Sequence, residues 1–269
     1  MKFVADMTLL ALHELGIAPL PLYEDLLLKS MDAHPVPFGQ RWYGDAYRKR
    51  ARDPMWFVHS LVANASKESE GSRQLWKIAA RTADPDIAVQ IRSHAIDEAR
   101  HARFYLLMAK LTFPDAADDM KWGELMADTP RYTRHNVPEP SEPNHFSVTL
   151  DELIQTNIGE IRTRIHQLLL RSVIVLHCEP SVRARLEKIV DSVLFDETRH
   201  IAYTAAIIDK AMRDGHDRLV REIMFERLAE FNALTLVEVD ADTYDGACGH
   251  LASEHVPVAE KSTAWQHNA

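Results

Sequence analysis

Residues 95–104 read AIDEARHARF, and residues 194–203 read LFDETRHIAY. The core string Asp-Glu-x-Arg-His therefore occurs twice, about a hundred residues apart. Composition sets how much this means. With 14 histidines in 269 residues, the bare pattern Glu-x-x-His is expected roughly once in a shuffled chain. A further instance, Glu142–His145, lies in the proline-dense stretch PEPSEPNHF, where a regular helix cannot form. The full five-residue string is expected only roughly six times in a thousand shuffles, so two copies point to a common cause.

On a helix, residues three apart share a face. Glu98 with His101, and Glu197 with His200, each present a carboxylate beside an imidazole. The surrounding sequence predicts the helices that carry them. Only 9 glycines occur, long segments repeat with helical period, and no segment alternates as a strand does. The expectation is an all-α protein. Asp53-Pro54 and Asp84-Pro85 each read as an N-cap followed by proline in the first helical position. They open helices expected to run to about residue 82 and to stop before Pro114. A proline-rich connection follows, with one short helix near 122–127. A third long helix is expected over 146–177, and a fourth from Pro180 to Gly215. A further helix covers roughly 216–240. Residues 1–53 read as two or three shorter helices packed on the bundle, broken at APLP and HPVPFG, and residues 241–269 as a loose tail. Two hairpins joined by one long crossover make a four-helix bundle, here spanning residues 54–240 with added helices at both ends.

In an antiparallel hairpin, residues at one height are equidistant from the turn. Glu68 and Glu98 have their midpoint at Ala83, in the TADP turn; Glu160 and Glu197 have theirs between Cys178 and Glu179, in HCEP. Glu70 is almost as well placed as Glu68, but its helical neighbours are Lys67, Arg73, Gln74 and Lys77, a solvated face. The neighbours of Glu68 are mainly apolar or small. Glu152 is the rival to Glu160, with a midpoint that falls inside a helix. Glu160 can also be read as a surface partner of Arg164, four residues on.

The paired DExRH motifs, each following a helix with one well-placed Glu, resemble the ferritin-like carboxylate-bridged di-iron superfamily. The string is similar to that of multicomponent monooxygenase hydroxylases, and arylamine N-oxygenases show comparable Glu-x-x-His pairs. That resemblance implies a ferritin-like bundle in which Glu68, Glu98, His101, Glu160, Glu197 and His200 hold two Fe ions, with Mn an alternative at one position and O2 as co-substrate. It also casts the six as the catalytic set. Asp97 and Asp196 then gain a role, each accepting the outer ring N–H of a ligand histidine across the bundle, with Arg100 and Arg199 pairing to those aspartates. The alternative for these four is a set of solvated helix charges. His94 precedes Glu98 by one turn, where the second motif has Val193. It is a candidate seventh ligand, which predicts two unlike metal positions with the Glu98 side richer in nitrogen; a structural histidine is the alternative. Asn64, Asn157, Arg164, Tyr105 and Tyr203 sit one turn from the proposed ligands as candidate pocket residues. Trp42, Tyr43 and Tyr47 are placed to cover the site or form a subunit contact.

Composition narrows the functional classes. A net charge of −9 argues against nucleic-acid binding. Two cysteines make neither a disulfide framework nor an iron–sulfur site, so an oxidative reaction needs an external electron donor or electrons from the substrate. The N-terminus MKFVADMTLLALHELG carries Asp6, His13 and Glu14. It reads as an amphipathic helix of a cytoplasmic protein rather than a secretion signal or a membrane span. The expected function is an O2-dependent di-iron oxygenase or oxidase acting on a small organic substrate by N-oxygenation, hydroxylation or desaturation, with a homodimer as the candidate assembly. The alternatives are a ferroxidase or iron-handling protein with the same ligands, and a metal-free bundle in which the repeat pairs helices.

Overall fold

The computed structural model describes residues 3–139 and 141–240; the tail expected to be loose, 241–269, lies outside them. The described residues are all-helical, with no strand among them. Nine α-helices follow in order: α1 (Phe3–Glu14), α2 (Pro21–Ala33), α3 (Arg41–Arg50), α4 (Pro54–Arg81), α5 (Pro85–Thr112), α6 (Asp119–Ala127), α7 (Phe146–Ile174), α8 (Pro180–Ala211) and α9 (Asp217–Asp240). None of them is long and apolar enough to cross a membrane.

The punctuation acts as the residues require. The Asp53 carboxylate accepts from Met55 N at 2.9 Å, and that of Asp84 accepts from Asp86 N and Ile87 N at 2.9 and 3.1 Å. Each cap satisfies amides that the first helical turn leaves unpaired. Two ends differ from expectation. The third long helix stops at Ile174, three residues early, and His177 Nε2 then meets the Ala51 carbonyl at 2.6 Å. The fourth ends at Ala211, and a single wider turn, Met212–His216, joins it to α9 with Gly215 at φ 97°. Glycine takes that left-handed conformation without the Cβ clash other residues meet.

α4 pairs with α5, α7 with α8, and the two hairpins meet along α5 and α8. Side-chain pairs 94/203, 97/200 and 101/196 recede at equal steps along α5 and α8, the mark of an antiparallel crossing. The two DExRH strings therefore face each other head to tail. α1 and α2 lie on α8, and α3 lies on α7. One apolar core joins Tyr23, Leu26 and Leu27 to Ile154, Ile158, Ile201 and Met224. α2 has no side-chain cap of its own. Its first amides, Leu22 N and Tyr23 N, donate instead to buried Asp209 at 3.0 and 3.1 Å, so α8 supplies the anion that the α2 dipole favours.

Candidate metal centre

Four carboxylates and three imidazoles meet in the interior of the α4/α5/α7/α8 bundle. Glu68 comes from α4, His94, Glu98 and His101 from α5, Glu160 from α7, and Glu197 and His200 from α8. Glu98 Oε1 lies 3.3 Å from His94 Nε2, 3.2 Å from His101 Nδ1 and 3.5 Å from His200 Nδ1. Glu197 approaches His101 Nδ1 and His200 Nδ1, both at 3.4 Å. Glu160 reaches His94 Nε2 at 3.2 Å and His200 Nδ1 at 3.7 Å. All seven side chains are buried or nearly so.

These contacts are close, yet they leave atoms unsatisfied. His94 Nε2, Glu98 Oε1, His101 Nδ1 and Glu197 Oε1 are buried without a hydrogen-bond partner. An unpaired buried polar atom costs about 1–3 kcal/mol, so four together, aimed at one another, call for a shared partner. Two groups offer ligand atoms close enough for an ion: Glu68, Glu98 and His101, and His94, Glu98, Glu160 and His200. The cluster can hold a metal ion. Four carboxylates balance two divalent cations in charge, and mixed carboxylate and imidazole donors suit first-row metals. Glu98 belongs to both groups, and Glu197 approaches one histidine of each, His101 and His200. The residues therefore fit the expected pair.

In the metal-free chain the carboxyls share protons. Burial and the neighbouring Glu98 push the pKa of Glu68 well up. Burial pushes Glu98 the same way, but a hydrogen bond from Glu68 and the charge of nearby His101 overcome it and hold Glu98 well down. Glu197 is likewise raised by burial and by Glu160, while His94 and a hydrogen bond from Glu197 hold Glu160 down against burial. Each hairpin thus carries one acid–carboxylate pair, as like charges in one dry site must.

The outer ring nitrogens are held across the bundle. His101 Nε2 lies 3.3 Å from Asp196 Oδ2, and His200 Nε2 lies 3.4 Å from Asp97 Oδ2. Arg100 donates to Asp97 at 2.8 Å and to Asp196 at 2.6 Å. Arg199 donates to Asp196 at 3.2 Å and approaches Asp97 at 3.8 Å. Each string orients the other's histidine, so the rings of His101 and His200 turn Nδ1 toward the cluster.

Several expectations need correction. His94 belongs with Glu160 and His200 rather than with His101: its ring stacks on that of His200, with centroids 3.6 Å apart. The nitrogen-rich group is thus the one completed by α7 and α8, because His94 lies one turn from Glu98 on the side away from His101. Its Nδ1 meets the Tyr203 hydroxyl at 2.9 Å. Glu68 is buried, whereas Glu70 is exposed and takes a hydrogen bond from Gln74. Glu152 pairs with Arg81 at 3.2 Å, away from the cluster. Arg164 does not pair with Glu160; its Nε donates to Thr198 at 3.2 Å.

Asn157 lines neither of the two cavities described below. It is fully buried, accepts from the Tyr23 hydroxyl at 3.0 Å and donates to Thr204 at 2.9 Å, which ties α2 to α7 and α8. Asn157→Leu is expected to lower stability by about 2 kcal/mol through the orphaned Tyr23 hydroxyl, with bound metal unchanged. Thermal unfolding and elemental analysis of one preparation check both halves.

Two cavities flank the cluster. One, of about 360 Å³, lies between α4 and α7 against Glu68, Glu98 and Glu160, and includes Asn64 and Tyr105. The other, of about 370 Å³, lies on the α5/α8 side against His94, His200 and Tyr203, with Leu15 and Ile17 of the N-terminal segment on its wall. The sequence reading missed His166, Lys67, Arg162, Gly71 and Gly159 in the first cavity. The available signal was the pair of glycines inside long helices, each beside a proposed ligand. Of the three aromatics expected to cover the site, Tyr43 is buried and its hydroxyl meets His166 Nε2. Tyr47 lies near the same ring, with centroids 6.1 Å apart, and Trp42 is exposed on the outside of Tyr43. They back the cavity through His166.

The chain matches no family model, no curated protein and no solved structure.

Proposed function

We propose that this chain is a ferritin-like non-haem di-iron oxygenase that uses O2 to oxidise a small organic molecule. The observation that carries the reading is the convergence in one buried cluster of three unsatisfied ligand atoms from the two head-to-tail DExRH strings and a fourth from His94, one turn before the first string, directly beside a cavity of small-molecule size. Glu68, Glu98 and His101 would hold one ion, and His94, Glu98, Glu160 and His200 the other, with Glu197 beside His101 and His200. A di-ferrous pair bound there supplies the electrons that O2 needs to react with closed-shell molecules. The rest falls to the chain. The bundle keeps bulk water from the ligands, the aspartates fix the imidazoles, and the cavity places a substrate beside Glu68 and Glu98. Electrons for repeated turnover come from a separate donor or from the substrate.

The iron-handling alternative uses the same ligands but has no use for the cavity. Anaerobic loading with Fe(II), removal of free iron, and O2-electrode traces with a panel of amines and carboxylic acids separate the two. The expected result is O2 uptake accelerated by particular organic compounds, with an oxygenated or desaturated product by mass spectrometry. Uptake that tracks added Fe(II) alone, whatever organic compound is present, would make the protein a ferroxidase.

A further inference from the structure

We infer that the α5/α8 cavity is a second small-molecule site. It takes a neutral molecule with an apolar body and one hydrogen-bond acceptor, such as a carbonyl oxygen, held by the Tyr203 hydroxyl. Such a site lies beyond the oxygenase reading and needs only that the cluster binds metal through His94. The cavity, of about 370 Å³, has the size of a small-molecule pocket, in which a few polar groups fix the ligand's orientation. No carboxylate ligand of the metal cluster lines it. Buried His94 and His200 form its inner wall, with their ring centroids 3.6 Å apart, so a molecule there lies behind the imidazoles and off the metal. The direction of the Tyr203 hydrogen bond follows from His94, which turns Nε2 toward Glu98 and Glu160 at 3.3 and 3.2 Å and Nδ1 toward the Tyr203 hydroxyl at 2.9 Å. When Nε2 gives its lone pair to a metal ion, the ring proton sits on Nδ1 and donates to the Tyr203 oxygen. The hydroxyl must then donate its own proton elsewhere. Tyr203 has no other hydrogen-bond partner among the described residues, and it lines the cavity. That proton is left for the molecule that occupies the cavity.

The rest of the wall sets the charge and body of the ligand. Apart from the imidazoles, its charged residues are Asp97 and Arg199, opposite in sign and 3.8 Å apart. Each is engaged further, Asp97 by Arg100 and Arg199 by Asp196, so neither is left for a charged ligand. The apolar wall comes from Ala202 and Ala206 of α8 and from Leu15 and Ile17, which follow α1. The end of α1 is built to put them there. Gly16 takes φ 79°, its N–H donates to the His13 carbonyl at 2.9 Å, and Ile17 N donates to the Leu12 carbonyl at 3.1 Å. These two bonds around a left-handed glycine terminate the helix and bring Ile17 onto the cavity wall.

Acetophenone and α-methylstyrene share a shape, but only acetophenone carries an acceptor. Calorimetric titration of each into the full chain loaded with Mn(II), with metal content checked by elemental analysis, tests the site. Tyr203→Phe should weaken acetophenone about tenfold, a difference of about 1.4 kcal/mol, and leave α-methylstyrene unchanged or tighter. Ala206 is exposed on α8, so Ala206→Phe should fill the cavity without disturbing the core and block both probes. Benzenesulfonate and 1-phenylethylamine, an anion and a cation of similar size, should show no binding that Ala206→Phe removes. The infrared carbonyl stretch of bound acetophenone should lie below its position in hexane, and Tyr203→Phe should move it back. The comparison with hexane stands on the unaltered protein even where a variant fails to fold. An equal change of both probes in Tyr203→Phe, acetophenone binding that survives Ala206→Phe, or a charged probe seated in the cavity would each overturn the proposal. No O2 is used. Failure of these titrations with metal bound sinks the second site alone, whereas absence of substrate-driven O2 uptake sinks the oxygenase reading alone.

Discussion

Glu98→Ala is expected to strip both metal positions at once, while Glu68→Ala and His94→Ala each weaken one. A single oxygen of Glu98 lies within 3.5 Å of three imidazole nitrogens, those of His94, His101 and His200. No other carboxylate in the cluster is shown that close to all three. Elemental analysis after gel filtration should fall from two ions per chain to none in Glu98→Ala, and to about one in His94→Ala. The loss also shows in stability. An ion at a hundredfold excess over its Kd stabilises the fold by about 2.7 kcal/mol per site, and 1 kcal/mol moves the Tm by about 2–4 °C for a chain of this size. Metal should therefore raise the Tm of the unaltered protein by roughly 10–20 °C and that of Glu98→Ala hardly at all. Glu68→Gln keeps the shape of the side chain. In the metal-free state burial and Glu98 already push the Glu68 carboxyl towards its neutral form, so the variant should then be about as stable as the parent. A metal-free Glu68→Gln far less stable than the parent would assign the cluster to structure.

The contrast between what the sequence disclosed and what it hid has a physical basis. Helix boundaries were legible at Asp53, Asp84 and Pro180, because capping and proline act over a few residues. They were less legible at Val175 and Gly215, where tertiary contacts of His177 and a left-handed glycine decide the end. Glu68 and Glu160 could be chosen because hairpin geometry makes sequence distance a measure of height. The same argument is silent across the long crossover, so it could not say whether His94 would face His101 or His200. That depends on how α5 crosses α8. Asn157 and Arg164 lie outside the two cavities for a related reason: helical spacing places a residue near a ligand but does not reveal that α2 covers one flank, or that Thr198 lies within reach of the guanidinium. The cavity was invisible because empty space is a property of four helices together.

Asp196→Asn is expected to weaken metal binding by about 10–100-fold and to change its pH dependence. The Asp196 carboxylate faces His101 Nε2, which commits the ring to presenting Nδ1. In the metal-free chain burial opposes a charged His101, but the hydrogen bond to Asp196 and the charge of Glu98 prevail and raise its pKa to about 9. A metal ion must displace that proton. The sign follows: below pH 9 the proton competes, so the apparent affinity of the parent climbs as pH rises from 7 towards 9, by up to about tenfold per unit for one proton. Without the Asp196 charge the folded pKa falls, so competition ends at a lower pH and the climb flattens. Mn(II) titrations under argon across this range separate the outcomes. A parent and variant whose curves differ by one constant factor at every pH would assign Asp196 to packing alone. Asp97→Asn should act in the same way on His200. The two effects should not add, because Arg100 bonds both aspartates and Arg199 lies between them. Loss of either aspartate leaves both guanidiniums to the other, and the double variant leaves them unpaired, so its loss should differ from the sum by about 0.5–3 kcal/mol.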